Sequence, residues 1–189
     1  MRYYRLFIAI ILSTLLFLMA SSVAFAKTDI IEGWEPTQYV EKELNAKTFC
    51  RMQAEYPTYK TGTKSLFLLI TNRGSKDIMF GDGYTLEKKE LDGWYTQKLR
   101  SADPSVVLVW KSDGYDVPPK AARGDFANFH FPLAPGEYRV VKSIHIDGKS
   151  NSEALFCAYF QVADSGYDEE YLSGYAPLAS LSDKYTMAR

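Results

Sequence analysis

The chain has 189 residues, of which 47% are hydrophobic and 15% aromatic, and its formal net charge is −1. This composition can fill a core and excludes a chain that is disordered throughout. This slightly acidic balance argues against nucleic acid as a partner, because the phosphates of nucleic acid require a basic face.

The N-terminus has the pattern of a secretory signal peptide. Arg2 and Arg5 precede an apolar stretch over residues 6–20, and Ala24-Phe25-Ala26 places small residues before a cleavage site. The stretch is shorter than the roughly 20 residues that a membrane-spanning helix needs. We therefore expect cleavage of residues 1–26 and a secreted or extracytoplasmic mature protein without a membrane span.

An N-terminal extension, residues 27–46, is expected before the folded domain. Pro36 suits the first position of a helix, so the pattern allows a short helix over residues 36–44.

Short runs of β-favouring residues, separated by Gly, Pro, Asn and Asp, follow from residue 48 onward. The predicted strands are residues 48–55, 64–71, 84–91, 94–99, 106–110, 126–131, 137–147 and 154–162. The pair Asp92-Gly93 predicts a two-residue hairpin turn of type I′. About eight strands without a helical repeat between them predict an all-β domain, an antiparallel β-sandwich over residues 47–163.

Alternating apolar residues indicate which face of each strand is buried. Leu66, Leu68 and Ile70 share one side of the second predicted strand, whereas Phe67 and Leu69 lie on its outer side and need a cover.

The tyrosine-rich C-terminal tail, residues 164–189, offers such a cover. Ser165 and Asp168 resemble a helix-capping pair, and the helix they predict would place Tyr167 and Tyr171 on one face. We expect this face to dock over Phe67 and Leu69.

Several short motifs, in this order along the chain, resemble those of the bacterial immunoglobulin-like domain found in secreted and membrane-attached proteins. They are Phe80-Gly81, the stretch 84–88 (YTLEK), Gly93-Trp94 and the stretch 133–142 (LAPGEYRVVK). The resemblance covers residues 47–163 and implies a β-sandwich, an extracytoplasmic location and no assigned chemistry.

Three residues in these motifs have structural interpretations. Gly136 permits a tight turn before a strand. Tyr138 is similar to the tyrosine of a tyrosine corner, whose ring is buried while its hydroxyl bonds back to the preceding loop. Trp94 is expected to cap the core.

Cys50 and Cys157 are the two cysteines of the chain, and they lie in the first and last predicted strands. An even number of cysteines outside the cytoplasm favours a disulfide, here one that joins these two strands. The alternative is two buried thiols that pack as small hydrophobic side chains.

The sequence presents candidate chemical groups but does not assemble them into a site. His130 and His145 are expected to be solvated on strands of different sheets, which gives no shared metal site. Arg123-Gly124-Asp125 spells a receptor-binding tripeptide, but a local turn and a chance match of three residues are the favoured explanation.

Two acidic pairs are expected to be solvated carboxylates. They are Glu87 with Glu90, and Asp113 with Asp116. No motif supplies a nucleophile with a base, and no cofactor is expected.

The longest irregular connection covers residues 111–120, and loops of sandwich domains often carry binding. Asp113, Tyr115 and Asp116 are therefore the candidate partner loop. The sequence favours a non-catalytic binding module whose partner is an unknown protein or envelope component. The alternatives are an inhibitor or accessory subunit of a secreted enzyme, and an enzyme of unrecognised type.

Overall fold

The computed structural model describes residues 30–102, 114–146 and 153–167. Eleven strands and one short 3-10 helix, Glu41–Glu43, lie within these residues. The strands are β1 (Ile30–Pro36), β2 (Cys50–Ala54), β3 (Thr58–Tyr59), β4 (Ser65–Asn72), β5 (Ile78–Gly81), β6 (Thr85–Glu90), β7 (Gly93–Ser101), β8 (Gly114–Val117), β9 (Ala122–Asn128), β10 (Gly136–Ile146) and β11 (Glu153–Val162). No helix in these ranges is long and apolar enough to span a membrane.

The strands form two sheets in a sandwich. The large sheet has the order β1-β7-β6-β10-β11-β3, with β5 between β10 and β8 at one end, and the small sheet has the order β2-β4-β9. Strand pairs are antiparallel except for β3 with β11. The predicted all-β, immunoglobulin-like sandwich is thus confirmed.

Side chains from both sheets fill the core between them. Leu66, Leu68 and Ile70 of β4 share this core with Val140 and Ile144 of β10, and all five are nearly inaccessible to solvent. The alternation in the sequence therefore identified the inward face of β4.

The hairpin between β6 and β7 differs from its prediction by one residue. Glu90 pairs with Gly93, so the turn consists of Leu91 and Asp92, not Asp92-Gly93. This register places Glu87 opposite Thr96, whose hydroxyl donates a hydrogen bond of 2.7 Å to the Glu87 carboxylate. A contact that only the folded hairpin makes thus stabilises this register over the one that the local turn signal predicts.

The N-terminal segment takes part in the fold. β1 pairs with β7 along seven residues and forms an edge of the large sheet. Residues 37–47, which we name the strap, then cross the outer face of this sheet. Pro36 ends β1, and the helix predicted over residues 36–44 is reduced to the single turn Glu41–Glu43.

The described start of the C-terminal tail docks at a place that the sequence did not predict. Tyr167 lies in a β-bridge with Tyr59 and stacks on Tyr56 at 4.1 Å between ring centres. It is not in a helix, and Tyr171 lies outside the described residues. Phe67 is covered instead by its neighbours on β9, since its ring lies directly over Gly124 and edge-on to Phe126.

Candidate functional site

The predicted partner loop is largely a strand. Residues 114–117 form β8, which pairs with β5. Tyr115 packs against the Phe80 ring at 5.6 Å and lies under the Arg123 guanidinium at 4.4 Å, so its ring is held inside the fold. Asp116 is exposed on the same strand, and Asp113 lies outside the described residues. The prediction of an exposed loop is therefore wrong for residues 114–117.

Trp94 lies outside the core between the sheets, which corrects its predicted role. It is on the outer face of the large sheet, where the guanidinium carbon of Arg139 lies 4.2 Å from its ring centre. The partly buried tryptophan that packs against the core is Trp34 of β1. Residues 30–36 lie in the predicted N-terminal extension, for which the sequence predicts no strand.

A buried ionic cluster, centred on Arg139, lies against Trp94. Arg139 and Glu87 are both fully inaccessible to solvent, and Arg139 Nε donates to Glu87 at 2.6 Å. A second ion pair joins Arg139 to Glu41 of the strap, and the Tyr159 hydroxyl donates to Glu41 at 2.7 Å. The prediction that Glu87 is solvated is thus wrong, whereas Glu90 is exposed and pairs with Lys88.

The cluster holds the strap and leaves little capacity for chemistry. The hydrogen bond from Tyr159, together with Arg139, keeps the pKa of Glu41 below its usual value although burial acts against it. Of the Arg139 nitrogens, Nη2 has no hydrogen-bond partner among the described residues. The other charged atoms are paired within the fold, so we assign the cluster a structural role.

The two cysteines are not joined, which contradicts the predicted disulfide. Both are free and buried. Cys50 belongs to the core between the sheets, but Cys157 lies on the outer face with Val141 and Leu44 of the strap. Because Phe156 and its alternate neighbours on β11 face inward, Cys157 must face outward.

Burial also makes the thiols unreactive. It raises the pKa of Cys50 to about 12 and raises the pKa of Cys157 as well. Thiolate is the reactive form of cysteine. The two residues border a lateral groove of about 640 Å³, but their side chains point into different layers of the fold.

Asn45 of the strap closes the open edge of β11 at Cys157. Its side-chain amide donates to the Cys157 carbonyl at 3.1 Å and accepts from the Cys157 amide at 3.0 Å. Its own backbone amide donates to the Leu155 carbonyl at 2.9 Å. Asn45 thus makes the hydrogen bonds that a neighbouring strand would make. It thereby protects an edge that could otherwise pair with another chain.

Tyr138 has the geometry of a tyrosine corner. Its ring is buried, and its hydroxyl donates to the Ala134 carbonyl at 2.8 Å. Gly136 is crowded at this turn, because a Cβ there would lie 3.2 Å from the Lys88 side chain and 3.3 Å from the Tyr138 ring.

The histidines do not form a site. His130 is exposed after β9, and His145 on β10 lies 3.3 Å from the Ser143 hydroxyl. In the three described ranges, no group of His, Cys, Asp and Glu side chains is arranged to hold a metal ion.

The tripeptide Arg123-Gly124-Asp125 lies within β9 and not in a turn. Its glycine is under Phe67, and its aspartate binds Lys142 inside the sandwich. An aspartate held in this way is not presented to a receptor.

A groove of about 950 Å³ lies beside the strap, over β10 and β11. Its apolar lining includes Tyr39, Val141 and Leu155, and its charged lining includes Lys42, Glu43, Lys47 and Glu153. An apolar floor with a charged border is a typical composition for a surface that binds a protein segment. Sequence reasoning missed it, because the strap and the sheet that form it are distant in the chain.

Comparison with known proteins gives one family and several distant structures. The bacterial Ig-like domain family matches residues 46–161, which is more than half of the chain and confirms the resemblance noted in the sequence. No curated protein matches the chain.

Three solved structures of low similarity also align with it. A putative ApaA protein from Bordetella pertussis is 13% identical, with a TM-score of 0.34, over 73% of this chain and 95% of that chain. The CsuC-CsuE chaperone–adhesin complex of Acinetobacter baumannii is 13% identical, with a TM-score of 0.37, over 75% of this chain and 66% of that chain. A target of the Northeast Structural Genomics Consortium is 12% identical, with a TM-score of 0.38, over 72% of this chain and 88% of that chain. Similarity at this level carries no argument about function.

Proposed function

Because the chain belongs to the bacterial Ig-like domain family, we propose that it is an exported, non-catalytic module that binds a protein or another component of the cell envelope. Domains of this family are typically non-catalytic and are often extracellular or envelope-associated. The signal-like residues 1–26 support export, since their basic, apolar and small-residue segments follow the order of a secretory leader.

The groove beside the strap is the observation that carries the proposal. It combines apolar side chains with exposed charges of both signs, which suits a polar partner that also buries apolar surface. Glu153 and Lys42 are both exposed and line the groove, so they offer a negative and a positive charge to a partner.

The internal pairing of charged side chains favours binding over catalysis. Glu87 and Glu41 both pair with the buried guanidinium of Arg139. Groups committed to structural ion pairs are poor candidates for proton transfer to a substrate.

Affinity capture with matched surface variants tests the binding surface. Chain expressed from Lys27 is used to capture partners from an envelope extract and from cytosol of the source bacterium. We expect an envelope partner whose capture is weakened at least tenfold by Lys42→Glu and by Glu153→Lys. Glu137→Lys is the matched control, because Glu137 is equally a solvent-exposed glutamate of the large sheet but does not line the groove.

The outcomes of the capture distinguish the candidate functions. Capture that all three variants retain equally, or no capture from the envelope, would contradict the proposed surface. If the partner is a secreted enzyme whose activity falls or rises on binding, the chain is an inhibitor or accessory subunit.

Export has a separate test. We expect the protein from the source bacterium to be recovered outside the cytoplasm with Lys27 as its first residue. Cytoplasmic protein that retains residues 1–26 would contradict export, whatever the capture experiment shows.

A further inference from the structure

Lys142 of β10 points into the sandwich and not into solvent. It lies on the inward side of the strand, on the same face as Val140 and Ile144, and only 1% of its side chain is accessible. Lysine is almost never buried to this extent without a partner.

Its partner, Asp125, comes from the opposite sheet. Asp125 is on β9 of the small sheet, its side chain is 12% accessible, and its Oδ2 is in direct contact with Lys142 Nζ. The other contacts of the ammonium are weak. The Asp82 carbonyl lies 3.4 Å away, and the centre of the Phe80 ring lies 5.3 Å away.

A buried pair of full charges is energetically expensive in such surroundings. Each ion loses several kcal/mol of hydration, and the attraction between the ions recovers this only in part. An uncharged product in which the two side chains stay joined has no such desolvation penalty. Exclusion of water also favours a condensation over the reverse hydrolysis.

We propose that Lys142 and Asp125 condense to an isopeptide bond that covalently joins the two sheets. One ammonium proton passes to the carboxylate, and the neutral Nζ then attacks Cγ of Asp125. The new bond is Nζ–Cγ, and the bond that breaks is Cγ–O. The oxygen leaves as water with two of the three original ammonium protons, so no oxidant, metal or co-substrate is required.

The neighbouring phenol adds no charge to this site. Burial, and to a lesser degree the Asp125 charge, raises the pKa of Tyr84 to about 12, so its hydroxyl stays neutral. This hydroxyl donates to the Asn128 carbonyl.

The intact mass of the purified protein tests the proposal. Chain expressed from Lys27 and reduced with thiol should be about 18 Da lighter than its calculated mass, because one water is lost. Lys142→Arg and Asp125→Ala should each have their full calculated mass. Neither variant has to fold for its mass to be informative.

The controls separate the bond from other dehydrations. Aspartate before glycine can also lose water, but Lys142→Arg keeps every such site, so a loss that persists in this variant overturns the proposal. Wild-type protein at its full calculated mass overturns it as well.

The position of the bond is read from a tryptic digest. Trypsin cuts after Arg123 and Arg139, and the bond would keep fragment 124–139 attached to fragment 140–149. This product has the same mass as the uncut linear peptide, so it is identified by stepwise sequencing. Release of both Gly124 and Val140 in the first cycle supports the bond, and release of Gly124 alone contradicts it.

Discussion

The guanidinium of Arg139 lies over the ring of Trp94, 4.2 Å from the ring centre, and its Nε donates to the Glu87 carboxylate at 2.6 Å. This arrangement buries a cation on the outer face of a sheet, where solvated side chains are the norm. The strap makes it possible, because Glu41 supplies the second carboxylate from above.

The Glu87 carboxylate should therefore be a major determinant of stability. We expect Glu87→Gln to lower the free energy of unfolding by about 3 kcal/mol, since it leaves a buried arginine undercompensated. Glu90→Gln on the same strand should change it by less than about 1 kcal/mol, because the ion pair of Glu90 is exposed. Urea denaturation of both variants measures the difference, and equal effects would contradict the structural role of the cluster.

Removal of the Asn45 side chain should open the edge of β11 locally. Asn45 has a φ of 55°, so Asn45→Gly retains the backbone conformation and loses the side-chain hydrogen bonds to the backbone and thiol of Cys157. We expect a loss of roughly 1 kcal/mol and faster hydrogen exchange of the Cys157 amide. The amide of Val141, opposite Cys157 in the β10–β11 ladder, is the internal control. Unchanged exchange at Cys157 would show that the edge is protected by other means.

Thiol titration without reductant should show two free cysteines. In the native state neither Cys50 nor Cys157 should react with a thiol reagent at about pH 8, because both are buried and their pKa values are raised. After unfolding in denaturant, both should react at once. Fewer than two reactive thiols in the unfolded protein would restore the disulfide that the sequence suggests.

The sequence was sufficient for the fold class because alternation depends only on local spacing. Leu66, Leu68 and Ile70 on one strand, and the PGEYRVVK stretch on another, identify inward faces without knowledge of the partner strand. The same rule, applied to LFCAYF, would have shown that Cys157 faces away from the core with Tyr159.

The site could not be predicted, because it depends on which segment covers the outer face. The strap contains no strong helix or strand pattern, and its contacts with β10 and β11 are about one hundred residues away in the chain. Glu87 and Lys142 also look like solvated charges in the sequence, since nothing local to either residue reveals its distant partner.

The tyrosine corner gives a prediction with a well-matched control. Tyr138→Phe removes the hydrogen bond to the Ala134 carbonyl and should lower stability by about 1–2 kcal/mol. Tyr95→Phe removes a hydrogen bond of similar length, 2.9 Å, between exposed groups, Tyr95 and Asp92, and should have little effect. Thermal unfolding of the two variants compares them directly, and a larger effect at Tyr95 would contradict the role of the corner.

Ionisation of the Glu55 carboxyl should lower the stability of the folded protein as the pH rises. Burial raises its pKa, and its Oε2 has no hydrogen-bond partner among the described residues. A carboxyl group whose pKa is higher in the folded state binds its proton more tightly there, so ionisation above the folded-state pKa disfavours the fold. Glu55→Gln should therefore raise the melting temperature at about pH 7, and this gain should shrink as the pH falls toward about 4, where the wild-type carboxyl becomes mostly protonated in both states. Glu137→Gln, at an exposed position, controls for the change in net charge. A variant that is less stable than wild type at neutral pH would show that the Glu55 carboxylate is stabilising.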